Sequence, residues 1–288
     1  MVAVERTVSG LRERVRGWRA GGETVGLVPT MGALHEGHMT LVGAAATECD
    51  RVVVSIFVNP TQFGPREDFD AYPRQESRDL AMLAEAGIDA AFIPPVAEMY
   101  PDGFATAVTI SGLTECLCGR GRPVHFRGVA TVVTKLLLQC LPDDAFFGEK
   151  DFQQLQVIRR LARDLDIPVA IRGVATVREA DDVAMSSRNA YLTPAQRGQA
   201  PAMIGALRHV AAKIAKGMAA AEACGQGRRM LEEAGFDPVD YLEVREEENL
   251  ALVEGRPDPS RPARVFAAAF LGDTRLIDNW PVKVNSRL

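Results

Sequence analysis

Strand-like and helix-like segments alternate along the chain from residue 25 to about residue 180. Runs of β-branched and other apolar residues predict strands at 25–28, 52–58, 90–93, 145–147 and 168–177. Apolar residues at helical spacing predict helices at 39–49, 76–86, 129–139 and 152–165. This alternation is typical of an α/β fold and predicts a Rossmann-like parallel sheet.

The pattern changes beyond about residue 184. An Ala-rich stretch at 202–223 predicts a pair of helices, and further strands are predicted at 241–244 and 265–270. We therefore predict two domains: a Rossmann-like parallel-sheet domain over residues 1–183, and a smaller α+β domain over residues 184–288.

Composition narrows the class of protein. Hydrophobic residues make up 47% and charged residues 25% of the 288 positions, as in an ordinary globular enzyme. A net charge of −5 argues against a nucleic-acid partner. The sequence lacks a signal-peptide pattern and a long apolar run, so a cytoplasmic protein without a membrane partner is predicted. Five cysteines without a Cys-x-x-Cys pair indicate reduced thiols.

The first predicted strand leads into a helix through residues 29–38, PTMGALHEGH. A helix that begins here presents unsatisfied N–H groups and a positive dipole end, which together favour a phosphate. His35 and His38 are three residues apart and are therefore expected on one face of the first turn. Two alternatives stay open: a capped, solvent-facing helix end, and metal ligation, for which His-x-x-His supplies too few ligands.

Three later loops carry further candidate groups. Asn59 and Gln62 in NPTQFG (59–64) offer amides for hydroxyls and carboxylates, although a Pro-Gly turn explains the same residues. Lys150 lies at the start of a predicted helix, where it can meet phosphate, and Gln154 lies one turn further on. Asp151 fits an N-cap role as well as a ligand role.

The fourth loop is VAMSSRN (183–189). Arg188 can fork onto phosphate oxygens while the serines donate hydrogen bonds, and this is favoured over a polar interdomain linker. The basic segment 120–127 fits a solvated loop and a small anion pocket equally well. The sequence has neither a Walker A loop nor a Gly-x-Gly-x-x-Gly turn, which argues against a P-loop kinase and a classical NAD enzyme.

Five motifs, in register along the chain to about residue 192, resemble those of one enzyme family. They are PTMGALHEGH (29–38), FVNPTQFG (57–64), HFRGV (125–129), FGEKD (147–151) and MSSRN (185–189). The His-x-Gly-His element and the Met-Ser-Ser-Arg loop resemble the two signatures of the adenylate-forming nucleotidyltransferase superfamily. The whole set resembles the pantothenate synthetase (pantoate–β-alanine ligase) family.

The resemblance implies an ATP-dependent condensation of (R)-pantoate with β-alanine. A pantoyl-adenylate would form with release of pyrophosphate, and β-alanine would then release AMP and give pantothenate. Mg²⁺ is implied together with ATP as the substrate. The implied partners are these small molecules and a second copy of the chain in a homodimer.

The resemblance also implies roles for single residues. Its catalytic set is His35, His38, Lys150 and Arg188, with His38 as the proton donor and His35 at the phosphates. Nucleotide contacts are implied at Met31, Gly32, Ala33, Leu34, His35, Glu36, Gly37, His38, Gly148, Glu149, Lys150, Asp151, Val177, Met185, Ser186, Ser187 and Arg188. Gln62 and Gln154 are implied for pantoate, and Gln62 also for β-alanine. Asn59 joins this acceptor group as a neighbouring amide, and no metal ligand is assigned.

Two positions depart from the family pattern. Asp182 stands where a glycine often precedes the Met-Ser-Ser-Arg loop, and Val124 replaces a glycine before His125. Both substitutions are expected to stiffen their loops. Two other functions remain as alternatives: a nucleotidylyltransferase acting on a phosphate monoester, and a nucleotide-binding module without catalysis.

Overall fold

The computed structural model describes residues 2–65 and 69–283. The chain divides into two compact units that are discontinuous in sequence. The first unit contains the chain up to Thr114 together with Arg122–Glu149 and Val157–Ala175. The second contains Glu115–Gly121, Lys150–Gln156 and the chain from Thr176 onward. The predicted domain boundary at residues 183 and 184 stays a prediction.

The strands are β1 (Ala3–Glu5), β2 (Val25–Thr30), β3 (Arg51–Ile56), β4 (Ala90–Phe92), β5 (Asp144–Gly148), β6 (Ala170–Val174), β7 (Val239–Glu246), β8 (Ala263–Leu271) and β9 (Thr274–Val282). The helices are α1 (Val8–Ala20), α2 (Glu36–Glu48), α3 (Glu76–Glu85), α4 (Val96–Met99), α5 (Cys118–Gly121), α6 (His125–Cys140), α7 (Phe152–Asp164), α8 (Pro194–Gln199), α9 (Ala202–Ala215) and α10 (Ala220–Glu233).

The first unit is built on a parallel sheet with strand order β1-β4-β3-β2-β5-β6. The chain moves outward from β2 to β3 and β4, and then returns to β5 on the other side of β2. Strand order therefore reverses between β2 and β5, whose carboxyl ends are Thr30 and Gly148. In open α/β sheets, ligands bind beyond the carboxyl ends of the strands at such a switch point.

Apolar strands buried on both faces hold this sheet together. Val28, Val54, Ala91 and Phe146 each expose less than 1% of their surface and belong to one core cluster. Continuous apolar runs of this kind are typical of parallel strands that are covered on both faces. The predicted helix stop at Gly87 is confirmed, since α3 ends two residues earlier and Gly87 adopts a φ of 70°.

The second unit has an antiparallel sheet with strand order β7-β8-β9. The Ala-rich pair α9 and α10 packs with this sheet in one core that includes Leu207, Phe236 and Val265. The predicted helical pair and the α+β class of this region are confirmed. The elements that the pattern did not predict are β1, β9, the helix α1 and the short helices α4, α5 and α8.

Within the described parts of the chain, none of the helices has the length and apolar character needed to cross a bilayer.

Candidate functional site

His35 and His38 begin helix α2, with His35 as its N-cap residue. Their ring centroids are 4.0 Å apart, which confirms that the two imidazoles share one face. The backbone N–H of His35 donates to Nδ1 of His38 over 3.4 Å. Because Nδ1 accepts, the proton of a neutral His38 ring lies on Nε2. His38 therefore presents a donor at the outer nitrogen of its ring.

The turn between β2 and α2 is held by a side chain from another element. Asp79, in the first turn of α3 and 1% exposed, accepts from the N–H groups of Ala33 over 2.9 Å and Leu34 over 2.8 Å. Gly32 and Ala33 have φ values of 82° and 50°, in the left-handed region that favours glycine. The buried carboxylate thus fixes a strained turn directly before the two histidines.

Gln62 and Asn59 lie on the loop after β3, which forms a 3₁₀ turn at Pro60–Gln62. The Nδ2 of Asn59 donates to Oε1 of Gln62 over 3.1 Å and to the Gly128 carbonyl over 3.2 Å. The Oδ1 of Asn59 accepts from the Tyr100 hydroxyl over 2.8 Å. Gln62 in turn directs its Nε2 to Sδ of Met31, 3.0 Å away.

Helix α6 packs directly against this turn. A Cβ atom at Gly128 would lie 2.6 Å from Cα of Gln62 and closer still to the carbonyl of Thr61, so only glycine fits. Nδ1 of His125 lies 3.0 Å from the Gln62 carbonyl. The glycine and the histidine of the HFRGV motif therefore support the backbone that carries Gln62.

Lys150 follows β5 in a 3₁₀ turn over Glu149–Asp151, and α7 begins at Phe152. Its side chain is 18% exposed, and its Nζ is 3.9 Å from Oδ2 of Asp151. The carbonyl of Lys150 accepts from Nδ2 of Asn279 on β9 over 2.9 Å. The main chain of this lysine is therefore tied to the small sheet of the second unit.

The two glutamines at the start of α7 have different environments. Gln153 is 5% exposed, accepts from the Cys118 N–H over 3.0 Å and donates to the Cys116 carbonyl over 2.8 Å. Gln154, predicted to bind pantoate, is only partly buried. The first amide thus holds the 115–121 segment, whereas the second retains exposed surface for a ligand.

The loop that carries Arg188 follows a short hairpin, residues 177–185. The N–H of Met185 donates to the Val177 carbonyl over 3.0 Å, and Arg178 pairs with Ala184 in an antiparallel bridge. Ser186 caps the next turn, since its side chain accepts from the N–H of Arg188 over 3.3 Å. Backbone and side-chain bonds therefore define both ends of the Met185–Arg188 loop.

Asp181 and Asp182, at the tip of the hairpin, are paired with arginines. Arg197 contacts Asp181 over 2.6 Å and Arg208 contacts Asp182 over 2.8 Å. Hydrogen bonds from these arginines lower the pKa of both carboxyl groups. Asp182 also has a φ of 69°, which explains why glycine suits this position.

Among the described residues, no three His, Cys, Asp or Glu side chains are grouped as metal ligands. The supporting residues that sequence patterns missed are Asp79, Gly128 and Asn279. Asp79 lies in a predicted helix far along the chain from the turn that it holds, so its sequence position carries no signal for this contact. Gly128, in contrast, lies within a helix, where an isolated glycine is a recognisable sign of a packing constraint.

The structure distributes the predicted site residues over both units. The first unit holds Asn59, Gln62, Gly148, Glu149 and the 31–38 turn, and Met31, Gln62 and Asn59 form one chain of contacts there. The second unit holds Lys150, Asp151, Gln154, Val177 and the Met185–Arg188 loop. Residues 31–38 follow β2 at the switch point of the sheet, where a ligand is expected.

These features define the class as an α/β enzyme with a Rossmann-like sheet and a histidine pair at its first strand-to-helix junction. The model of the pantoate–β-alanine ligase family matches residues 3–281. The chain belongs to this family, which confirms the resemblance inferred from the five motifs.

Individual relatives agree with this assignment. The pantothenate synthetase of Paramagnetospirillum magneticum is 59% identical over 282 residues, which cover 98% of each chain. That of Rhodospirillum rubrum is 52% identical and covers 96% of this chain and 97% of its own.

Solved structures extend the agreement to the fold. Pantothenate synthetase from Thermus thermophilus has a TM-score of 0.91 at 46% identity, covering 98% of this chain and 100% of its own. Pantoate–β-alanine ligase from Francisella tularensis, in complex with β,γ-ATP and β-alanine, has a TM-score of 0.81 at 32% identity, with 98% of both chains covered.

Proposed function

We propose that this ligase joins (R)-pantoate to β-alanine in two steps that consume ATP. The observation that carries the proposal is the His35–His38 pair on a turn fixed by Asp79, in a chain of the pantoate–β-alanine ligase family. In the first step a pantoate carboxylate oxygen bonds to the α-phosphorus, and the bond to pyrophosphate breaks. In the second, the β-alanine amine nitrogen bonds to the acyl carbon and loses a proton, and the bond from that carbon to the AMP oxygen breaks. The amide product is pantothenate.

The first unit supplies the groups at the beginning of α2. Attack on the α-phosphorus places negative charge on non-bridging oxygens and on the leaving pyrophosphate. We propose that the residues 31–38 bind ATP, with His35 at the phosphates and His38 as the proton donor. The hydrogen bond that Nδ1 of His38 accepts supports this role, because it leaves the Nε2 proton for a phosphate oxygen.

We propose that Lys150 and Arg188, from the second unit, stabilise the transferred phosphate. Lys150 is mostly buried, and burial strengthens the attraction between its ammonium group and an anion. Gly148, Glu149 and Asp151 flank this lysine, and Val177 and Met185–Ser187 flank the arginine. These residues complete the proposed nucleotide contacts.

For the acceptor substrates we propose Gln62 and Gln154 as the pantoate-binding amides, with Gln62 also contacting β-alanine. The residue type of Asn59 predicts a place beside them. Both of its Nδ2 hydrogens have protein acceptors, and its Oδ1 accepts from Tyr100. We therefore propose that Asn59 acts by orienting Gln62, whose own amide is engaged by fewer partners.

Mg²⁺ is proposed as part of the substrate, bound to the ATP phosphates. Mg²⁺ prefers substrate phosphates, waters and one or two carboxylates over a cage made only of protein groups. Asp181 and Asp182 fit poorly as ligands, since arginines occupy both carboxylates. When bound, the ion neutralises charge on the phosphates.

A homodimer in the cytoplasm is proposed for the assembly and its location. The segment 101–110 supports the dimer. It lies outside helices and strands, is exposed apart from two partly buried residues, and contains the β-prone sequence FATAVTI at 104–110. An exposed segment of this composition is suited to pairing with a second copy of the chain.

The test is to follow pyrophosphate and AMP release from ATP and pantoate, with and without β-alanine. We expect pyrophosphate in both cases and AMP turnover only when β-alanine is added. Absence of pantoate-dependent pyrophosphate would contradict the proposal. Transfer of AMP to a phosphate monoester would instead favour the nucleotidylyltransferase alternative, and ATP binding without turnover would favour a non-catalytic module.

A further inference from the structure

Two adjacent residues of β9 contact two segments that are distant in sequence and carry proposed nucleotide ligands. Asp278 and Asn279 expose only 5% and 3% of their surface. Asn279 contacts the main chain of Lys150, and Asp278 contacts Arg178 in the 177–185 hairpin. All of these residues belong to the second unit.

The amide of Asn279 has a defined orientation. Its Oδ1 accepts from Nη1 of Arg264 over 2.6 Å, and a guanidinium can only donate. The Nδ2 group must therefore face the Lys150 carbonyl, to which it donates over 2.9 Å. Arg264 is itself fixed, since its guanidinium lies 4.0 Å from the centroid of the Phe152 ring and its Nε donates to Glu247.

The carboxylate of Asp278 has an equally defined set of donors. Arg178 contacts it with two nitrogens, Nη1 to Oδ2 over 2.7 Å and Nη2 to Oδ1 over 3.0 Å. Nη1 of Arg178 also donates to the Asp182 carbonyl over 2.9 Å. These contacts of Arg178 join the first strand of the hairpin to its tip, because Arg178 lies on that strand and Asp182 lies at the tip.

We propose that Asp278 and Asn279 are positioning residues that set the spacing between Lys150 and the Met185–Arg188 loop. Neighbouring residues on a strand are about 3.3 Å apart along its axis, so one rigid segment anchors both cationic elements. Stabilisation of a transferred phosphate depends on cations that are held in place before reaction. The inference rests on the proposed function, since it concerns the same phosphate ligands.

The first test is Asn279→Asp, which is nearly isosteric. The new carboxylate still accepts from Arg264 but repels the Lys150 carbonyl. We expect kcat for pantoate-dependent pyrophosphate release to fall by about 10- to 100-fold, the scale of a small misplacement of a catalytic group. In a Lys150→Ala background the same substitution should have little further effect, because the group that it misplaces is gone.

The second test is Asp278→Asn, which weakens the Arg178 pair. It keeps an acceptor for the N–H of Asn279, which donates to Oδ1 of Asp278 over 2.8 Å. We expect a rise of about tenfold in KM for ATP, and this rise should largely disappear in an Arg188→Ala background. The matched control is Asp240→Asn, which breaks the ion pair with Arg275 on the same sheet and should leave both constants unchanged. Thermal melting of every variant measures the purely structural effect.

Several outcomes would overturn the inference. Additive effects in the double variants would show a role in stability alone. Changes in kcat and KM no larger than those of Asp240→Asn would show the same. If Asn279→Asp fails to fold, Asn279→Ala removes the same donor without adding charge. An unchanged kcat in Asn279→Ala would also contradict the inference. A wild type without pantoate-dependent pyrophosphate release contradicts the proposed function and this inference together, whereas an active wild type with additive variants contradicts the inference alone.

Discussion

Lys150 combines a mostly buried side chain with a main chain that is fixed by a hydrogen bond. Ions in such surroundings stabilise charge without reorganisation during the reaction. We expect Lys150→Ala to lower kcat by roughly 10²–10³, the scale of losing one preorganised electrostatic contact. Steady-state kinetics of pyrophosphate release measure this loss, with the exposed Lys216→Ala as the matched control. A decrease below about threefold would reject the role.

Gln62, the proposed pantoate-binding residue, carries its amide in a largely buried position. It is 8% exposed, with its Oε1 engaged by Asn59 and its Nε2 directed to Met31. We expect Gln62→Ala to weaken pantoate binding by about 10- to 100-fold, because hydroxyl and carboxylate groups of the ligand lose a buried partner.

Calorimetry with pantoate and with ATP separates the two ligands for this variant. ATP affinity should change little, and Gln75→Ala, an exposed amide in the same unit, should bind both ligands normally. Loss of ATP affinity with intact pantoate binding would reverse the assignment of Gln62.

At the level of elements, the 177–185 hairpin contains a strained backbone conformation and an ion pair at the same residue. Asp182 has a φ of 69° and pairs with Arg208. Asp182→Ala and Asp182→Gly both remove the ion pair, but only alanine keeps the cost of a left-handed conformation. We expect the alanine variant to be less stable by about 1 kcal/mol.

Chemical denaturation of the two Asp182 variants measures this difference directly. Equal stability of the alanine and glycine variants would show that the left-handed conformation relaxes when the carboxylate is lost. A more stable alanine variant would contradict the observed backbone conformation at this position.

The elements that sequence patterns predicted are those whose apolar residues form a continuous run or recur at helical spacing. The central strands β2 and β3 of the parallel sheet are mostly apolar, and the Ala-rich pair α9 and α10 has helical spacing. Strand β9 was missed because Asp278 and Asn279 occupy buried positions where the pattern requires apolar residues. Those polar residues are buried with hydrogen-bond partners, which only the folded chain reveals.

Candidate site residues divide in the same way. His35, His38 and Arg188 are recognisable as candidates because their residue types and spacing suit phosphate binding, whereas Met31 and Val177 are implied only by the family resemblance. Asp79 was not recognisable, because its role depends on α3 packing beside a turn 45 and 46 residues earlier in the chain. Support of this kind is a property of the tertiary structure and has no local signature.

At the scale of the whole molecule, the segment 101–110 is mostly exposed and lies outside helices and strands. Contact with a second copy of the chain would explain why it carries β-prone apolar residues. If it pairs with a second copy, sedimentation should give twice the chain mass of 31.2 kDa. Ala107→Glu places a charge in the middle of the segment and should shift the equilibrium toward monomer. The exposed Ala221→Glu is the matched control, and a dimer that withstands Ala107→Glu would place the interface elsewhere.

The contact between Gly128 and the Pro60–Gln62 turn has a consequence for natural variation. A side chain of any size at this position would press on the main chain of Thr61 and Gln62 rather than on a flexible side chain. Even alanine, the smallest replacement for Gly128, is therefore expected to displace this main chain. In cells that depend on this enzyme for their own pantothenate, we therefore expect selection against every missense allele at this codon, the conservative change to alanine included.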